Sequence, residues 1–330
     1  MKIAIAGFGN IGRAFAELVL ERHKDIEIVA LTDRSGVLVS LSKLEINTLL
    51  QSKSTGRSLS QSGAKFVLPE EAVAMFAQVG VEVVVEALPS NLSSAGEPAI
   101  TVATDALRRG MQFITANKAV LLFAGSTLES IAAERGVKFA HSGATCAALP
   151  TLSFARRELA GANITRIRGV LNGTTNYILT RMSEQNVTFA EALLEAQQKG
   201  IAEPDPSYDL EGMDSAVKIT ILANFLMNAN SRLDRVLCRG ISEPPTALIE
   251  EAQQTRGAIR LMAVAERRES NVLLSVKPQV IASSDPFFAV RGSNKAVEFE
   301  TDLYGTLMVA GGASSRKAVA AVMLRDLLAK

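Results

Sequence analysis

The sequence predicts an α/β protein, a doubly wound parallel sheet followed by an α+β domain. Three features carry that expectation. Short apolar runs alternate with helical patterns in the first half, a glycine-rich turn follows the first run, and the texture changes after Pro150. Lys2 to Ala6 is the first strand, with a helix marked by Phe15, Leu18 and Val19 behind it. Ile26 to Leu31 is the second strand, ending at Thr32-Asp33. Val81 to Val85 is a β-branched run of the kind buried on both faces of a parallel sheet. Gln112 to Thr115 and Val137 to Ala140 repeat the pattern, with helices around 99–109 and 126–135. Such alternation builds a parallel sheet through right-handed crossovers.

Val37 to Leu68 is rich in Ser, Lys and Gly and reads as a mobile loop with a helix at 41–50. Beyond Pro150, Ile164 to Val170 alternates like a half-exposed strand, and helical patterns cover 188–199 and 214–228. Further strands are expected at 271–277 and 296–300, and 317–329 closes as an apolar helix.

Composition narrows the function classes. At 330 residues the chain has room for two cores, and 48% apolar with 21% charged residues is globular composition. The net charge of +1 supplies no field toward nucleic acid or an anionic membrane, and with 5% aromatics and no Trp there is little to stack on bases. Neither kind of partner is expected. Cys146 and Cys238 are too few for a disulfide framework, and His23 and His141 lack ligand spacing, so no metal is expected. With no signal-like or membrane-spanning run, a cytoplasmic protein is expected.

Gly7-Phe8-Gly9-Asn10-Ile11-Gly12 reads G-x-G-x-x-G between a strand and a helix. Its glycines allow a tight turn, backbone approach to a pyrophosphate and close helix–strand packing, while the N–H groups of the helix start face the phosphates. Asp33 ends the next strand about 20 residues on, where a carboxylate meets a ribose 2′-hydroxyl. The first domain is therefore expected to be Rossmann-type. Asp33 favours NAD, whereas Arg34, with Lys53 and Arg57 in support, would accept the 2′-phosphate of NADP; both coenzymes stay open. Ala87 and Leu88, just past the third strand, and Asn117 are added to the expected coenzyme contacts.

Three further segments carry chemistry. Thr115-Ala116-Asn117-Lys118 puts Lys118 at the carboxyl end of a strand, where open α/β sheets bind ligands. Leu171-Asn172-Gly173-Thr174-Thr175-Asn176-Tyr177 sets a glycine among small hydrogen-bonding side chains. The run from Gly200 through Glu203, Asp209 and Asp214 to Lys218 is a proline-stiffened loop with a helix starting near Asp214. Asp214 and Lys218 then share one helix face, an arrangement that on its own is more often a plain surface ion pair.

In order and spacing these segments resemble the homoserine dehydrogenase family over essentially the whole chain. The resemblance implies an NAD(P)-dependent oxidoreductase interconverting homoserine and aspartate 4-semialdehyde, and a homodimer. It assigns residues 1–140 to coenzyme binding, 141–300 to a catalytic and dimerisation domain, and 301–330 to a segment returning to the nucleotide domain. Glu203, Asp209 and Asp214 correspond to substrate-binding acids, and Gly173 and Thr174 to substrate contacts. Lys118 and Lys218 correspond to the catalytic lysines. A first-turn position for Lys218, where the helix dipole disfavours a cation, favours it as acid/base, with Lys118 polarising the oxygen; the reverse assignment also stands.

Two departures from the family pattern bear on the site. The family's Glu-Ala-Thr-Val segment, a monovalent-cation site, reads Gly143-Ala144-Thr145-Cys146 here, so weak or no cation binding is expected. The family's glycine-rich loop at the nicotinamide end reads Gly311-Gly312-Ala313-Ser314-Ser315, leaving Gly312 as the expected coenzyme contact. The chain stops short of the family's regulatory extensions, so feedback control through them is not expected. Two alternatives are a paralogue acting on a related amino alcohol and a catalytically silent nicotinamide sensor.

Overall fold

The structure is a computed structural model describing residues 1–242, 246–312 and 314–329. It divides into two compact units, one of Met1–Ala148 with Ser315–Lys330 and one of Leu149–Ser314.

The first unit runs β1 (Lys2–Ala6), α1 (Asn10–Arg22), β2 (Glu27–Asp33), β3 (Gly36–Val39), α2 (Ile46–Ser54), α3 (Pro69–Gln78), β4 (Val83–Glu86), α4 (Ala99–Arg108), β5 (Gln112–Thr115), α5 (Lys118–Arg135) and β6 (Phe139–Ala140). Its sheet has the order β3-β2-β1-β4-β5-β6, parallel except where β3 runs back along β2. Alternate side chains feed two cores. Ile3, Ile5, Val83 and Val85 pack with Phe15 and Val19 of α1, while Ala4, Ala6 and Val84 pack with Phe76, Val102 and Leu107. Two covered faces explain the near-continuous apolar strands. The chain leaves β1 toward β2 and returns on the other side at β4, so the topological switch point lies between β1 and β4.

A later helix, α12 (Arg316–Leu328), belongs to this unit, where Ala320, Met323, Leu324 and Leu327 join the core around Phe15. The Lys138 ammonium donates to the carbonyls of Asp326 (3.0 Å), Leu327 (3.3 Å) and Ala329, meeting the orphan carbonyls of the helix end.

The second unit runs α6 (Leu152–Glu158), β7 (Ile164–Val170), α7 (Gly173–Gln185), α8 (Phe189–Gln198), α9 (Ser207–Leu210), α10 (Met213–Met227), β8 (Leu237–Cys238), α11 (Thr246–Thr255), β9 (Ala258–Arg268), β10 (Asn271–Ile281), β11 (Ala296–Thr301) and β12 (Gly305–Ala310). Its sheet has the order β12-β11-β7-β9-β10-β8, antiparallel except for β8. Helices α7, α10 and α11 pack on β7, β9 and β10. Arg260, fully buried in β9, donates to the carbonyls of Ile259 (2.8 Å), Phe287 (3.3 Å) and Phe288 (3.0 Å). Burial pushes its guanidinium down to about 10.

Several elements differ from expectation. Residues 37–68 hold β3, paired antiparallel to β2, and α2 at Ile46–Ser54 in place of 41–50. The reversal turns on Gly36 at φ +141, where a Cβ would stand 2.4 Å from the Lys65 carbonyl. Helix α5 begins at Lys118 rather than 126, because the Asn117 side chain caps it by accepting from the Ala119 N–H at 3.0 Å. The units part at Ala148/Leu149 and Ser314/Ser315 rather than at 140/141 and 300/301. Pairing of β12 with β11 holds residues 305–310 in the second sheet.

Candidate coenzyme and substrate sites

The glycine turn sits at the β1/β4 switch point. Gly7 adopts φ +102, and a Cβ there would lie 2.7 Å from the Ala87 carbonyl; a Cβ on Gly12 would lie 2.2 Å from the Gly7 oxygen. Both positions demand glycine. Gly9 faces open space and no side chain caps α1, so the first-turn N–H groups of Asn10 and Ile11 are presented to an anion. Thr32, unremarked in the sequence, holds the turn: its hydroxyl accepts from Gly7 N–H at 3.0 Å and its carbonyl from Phe8 N–H at 2.6 Å. The Phe8 side chain is fully buried in the core, so only its backbone belongs to the turn.

Asp33 ends β2 beside a cleft lined by Ala6, Val37, Val67, Leu88 and Val102. Its carboxylate accepts from Lys53 Nζ (2.5 Å), from the N–H (2.8 Å) and hydroxyl (2.6 Å) of Ser35, and from Leu59 N–H (3.2 Å). Burial pushes this carboxyl upward, but those hydrogen bonds together outweigh it and hold the group below its usual range. Arg34 is exposed next to it.

At the ends of β4 and β5 stands Glu86, a residue the sequence reading passed over. It is fully buried and accepts from the Thr115 hydroxyl, from Leu88 N–H (2.6 Å) and from the Asn117 amide (3.3 Å). Burial, the largest influence, pushes its carboxyl to about 7 against those hydrogen bonds. The Asn117 side chain is thus occupied by Glu86 and the α5 cap, while Lys118 takes the first helical position of α5. A carboxylate closing a run of buried valines was the signal available in the sequence. Gly143 offers no side chain where the family pattern has a Glu, and the nearest atoms a Cβ there would meet belong to Ala116, Val322 and Val319.

In the second unit Lys218 Nζ donates to Asp214 Oδ2 at 2.5 Å and to the Leu171 carbonyl at 2.8 Å. Asn172 Nδ2 donates to the same Asp214 oxygen at 2.9 Å and to Asp209 Oδ1 at 2.7 Å. Helix α10 begins at Met213 after Gly212 in the left-handed region, so Asp214 is in the first turn and Lys218 in the second. This corrects the first-turn placement of Lys218; the helix start meets Asp214's negative charge instead, and it is Lys118 that opens a helix. Burial, helped by the charge of Asp214, pushes the Tyr208 phenol upward.

Gly173 and Thr174 form the first turn of α7. A Cβ on Gly173 would lie 2.9 Å from the Ser293 carbonyl, and the buried Thr174 hydroxyl donates to the Ile201 carbonyl at 3.1 Å. Glu203 is exposed on the loop before α9. Gly312 has φ +76 and would place a Cβ 2.6 Å from Leu149 N, while Ala313 lies outside the described residues.

A dinucleotide turn at the switch point, carried in one chain with a lysine held by Asp214 and the Leu171 carbonyl, places the protein among the nicotinamide-dependent oxidoreductases. The family model described as homoserine dehydrogenase matches residues 150–328, and that described as homoserine dehydrogenase, NAD binding domain, matches residues 7–142. The chain belongs to the homoserine dehydrogenase family. Its relatives include the NAD(+)-dependent homoserine dehydrogenase of Pseudomonas canavaninivorans, 33% identical over 99% of this chain and 95% of that protein. The homoserine dehydrogenase of Methanocaldococcus jannaschii is likewise 33% identical, over 99% of this chain and 98% of that one. A hyperthermophilic archaeal homoserine dehydrogenase solved in complex with NADPH superposes with a TM-score of 0.81 at 28% identity, covering 99% of this chain and 96% of that one.

Proposed function

We propose that the protein interconverts L-homoserine and L-aspartate 4-semialdehyde, with Lys218 exchanging the proton at the substrate oxygen. The observation that carries this is the tethering of the Lys218 ammonium by two of its three N–H donors, to Asp214 and the Leu171 carbonyl. The third donor is left for a carbonyl or alkoxide oxygen. The nicotinamide supplies hydride exchange with the carbon that bears this oxygen. In the reducing direction Lys218 gives its proton to the oxygen as charge develops there, and Asp214 keeps the ammonium aimed. Lys118 is the second lysine that the family resemblance assigns to catalysis. Asp209, with one carboxylate oxygen engaged by Asn172, offers the other to the substrate's ammonium, and exposed Glu203 serves the same end.

The coenzyme in this reading is NAD or NADP. The base lies against the apolar cleft, Asp33 meets the adenosine ribose, and Lys53 and Arg34 supply positive charge for a 2′-phosphate. The test is absorbance of reduced nicotinamide with L-homoserine and each coenzyme in parallel. Turnover is expected with at least one, and none with either, at alkaline pH, overturns the reading.

We assign homodimer formation to the second unit's sheet, where Leu237 and Leu273 are 78% and 60% exposed on β8 and β10. Light scattering at the mass of one chain would contradict this. Among the described residues no helix is long and apolar enough to cross a membrane. The cytoplasm is the proposed compartment, where an exposed thiol such as Cys238 stays reduced.

A further inference from the structure

We propose that Asn172 is a positioning residue for the reaction, a neutral bridge that sets the spacing of Asp209 and Asp214 and through Asp214 the placement of Lys218. The inference rests on the reading of Asp209, Asp214 and Lys218 as the substrate site.

Asn172 sits between β7 and α7 as the N-cap of α7, and its Oδ1 accepts from the Thr175 N–H at 2.9 Å. Capping alone does not call for Asn, because Ser and Asp cap as well. The second demand is on Nδ2, whose two hydrogens go to Asp209 of α9 and Asp214 of α10 at 2.7 and 2.9 Å. Two carboxylates drawn to one point repel unless donors stand between them. A primary amide brings two donors on one nitrogen and a separate acceptor for the cap, and neither Ser nor ionised Asp can match that set. The side chain is 6% exposed, so water is a poor substitute. Asp214 Oδ2 is shared by Asn172 and Lys218, so losing the amide frees the carboxylate that aims the ammonium. Asp209 would also turn, misplacing the oxygen offered to the substrate's ammonium.

The test compares Asn172→Ser and Asn172→Asp with the native enzyme in steady-state homoserine oxidation across pH. Serine keeps the cap but cannot reach either acid. Its melting temperature is expected near the native value, while kcat/KM falls roughly 10- to 100-fold with KM raised and kcat lowered. Aspartate keeps both shape and cap but sets a third carboxylate against Asp209 and Tyr208 from α9 and Asp214 and Lys218 from α10. It is expected to be as impaired in alkali, with its activity relative to native recovering as pH falls. A protonated Asp at 172 can again donate to one neighbour.

A Ser variant with native kcat and KM overturns the proposal, as does a loss that only tracks melting. Should the Ser variant fold poorly, a flat ratio across pH for the Asp variant overturns it instead. Lys218→Ala and Asp209→Asn are measured alongside. If both turn over normally, the site reading itself fails. If both are impaired while the Ser variant is normal, only the role of Asn172 fails.

Discussion

The Asp33 carboxylate and the Lys53 ammonium lie 2.5 Å apart, with 11% and 19% of their side chains exposed. An aspartate at the end of the second strand ordinarily repels a 2′-phosphate, but here its charge is already matched by a cation that could meet that phosphate. Lys53→Ala is therefore expected to weaken NADP binding roughly 10- to 100-fold while changing NAD binding by less than about threefold. Fluorescence titration with the two reduced coenzymes measures both. Equal losses for the two would show that Lys53 only props up Asp33.

Glu86 makes stability depend on pH in a direction opposite to most carboxylates. Its carboxyl is raised from 4.5 to about 7, so between those values the folded chain holds a proton that the unfolded chain has released. Its contribution to stability is complete below the lower value and is lost as pH rises through about 7. The loss amounts to up to ~3 kcal/mol. Glu86→Gln should flatten that part of the profile in denaturant unfolding at a series of pH values. An unchanged slope would assign it to another group.

Removing the Lys218 ammonium tests the chemistry directly. Lys218→Ala is expected to lower kcat by about 10²- to 10⁴-fold, the usual worth of a positioned proton donor. Coenzyme binding, measured separately, should stay within about twofold, since Lys218 lies outside the nucleotide-binding unit. Near-native turnover would pass the role to Lys118.

At Gly143 the expected outcome is an absence of dependence. Rates in sodium, potassium and tetramethylammonium chloride at equal ionic strength should agree within about twofold, because the segment lacks the acid a hard cation needs. Gly143→Glu should not restore a site. The added side chain would start among Ala116, Val319 and Val322, where an unpaired carboxylate costs several kcal/mol. Calorimetric melting should show the loss, and a stability gain on adding sodium would contradict it.

Much of this architecture was legible because its signals are local. The glycines at 7, 9 and 12, the valines of β4 and the period of α8 each report their own surroundings. Strand β9 was not legible. Its Ala-Ile-Arg-Leu-Met-Ala-Val-Ala stretch is buried along its length, so it lacks alternation and is rich in helix formers. Nor could a pattern reveal that Arg260 finds three carbonyls, two of them 27 and 28 residues away. At the candidate site the motifs yielded the lysines and acids, but not what holds them. Thr32, Glu86 and the amide of Asn172 act through partners distant in sequence, which no spacing rule records. The first-turn placement of Lys218 failed on the helix period itself, since about 3.6 residues per turn put it in the second turn whether α10 starts at Met213 or at Asp214.

The return of α12 to the first unit has a consequence during biosynthesis. Phe15, Val19 and the inward face of β1 wait for Ala320, Met323 and Leu327, and the whole second unit is translated in between. Until the ribosome reaches that helix, the nascent nucleotide-binding half carries a bare apolar flank, exposed to aggregation until the last helix docks.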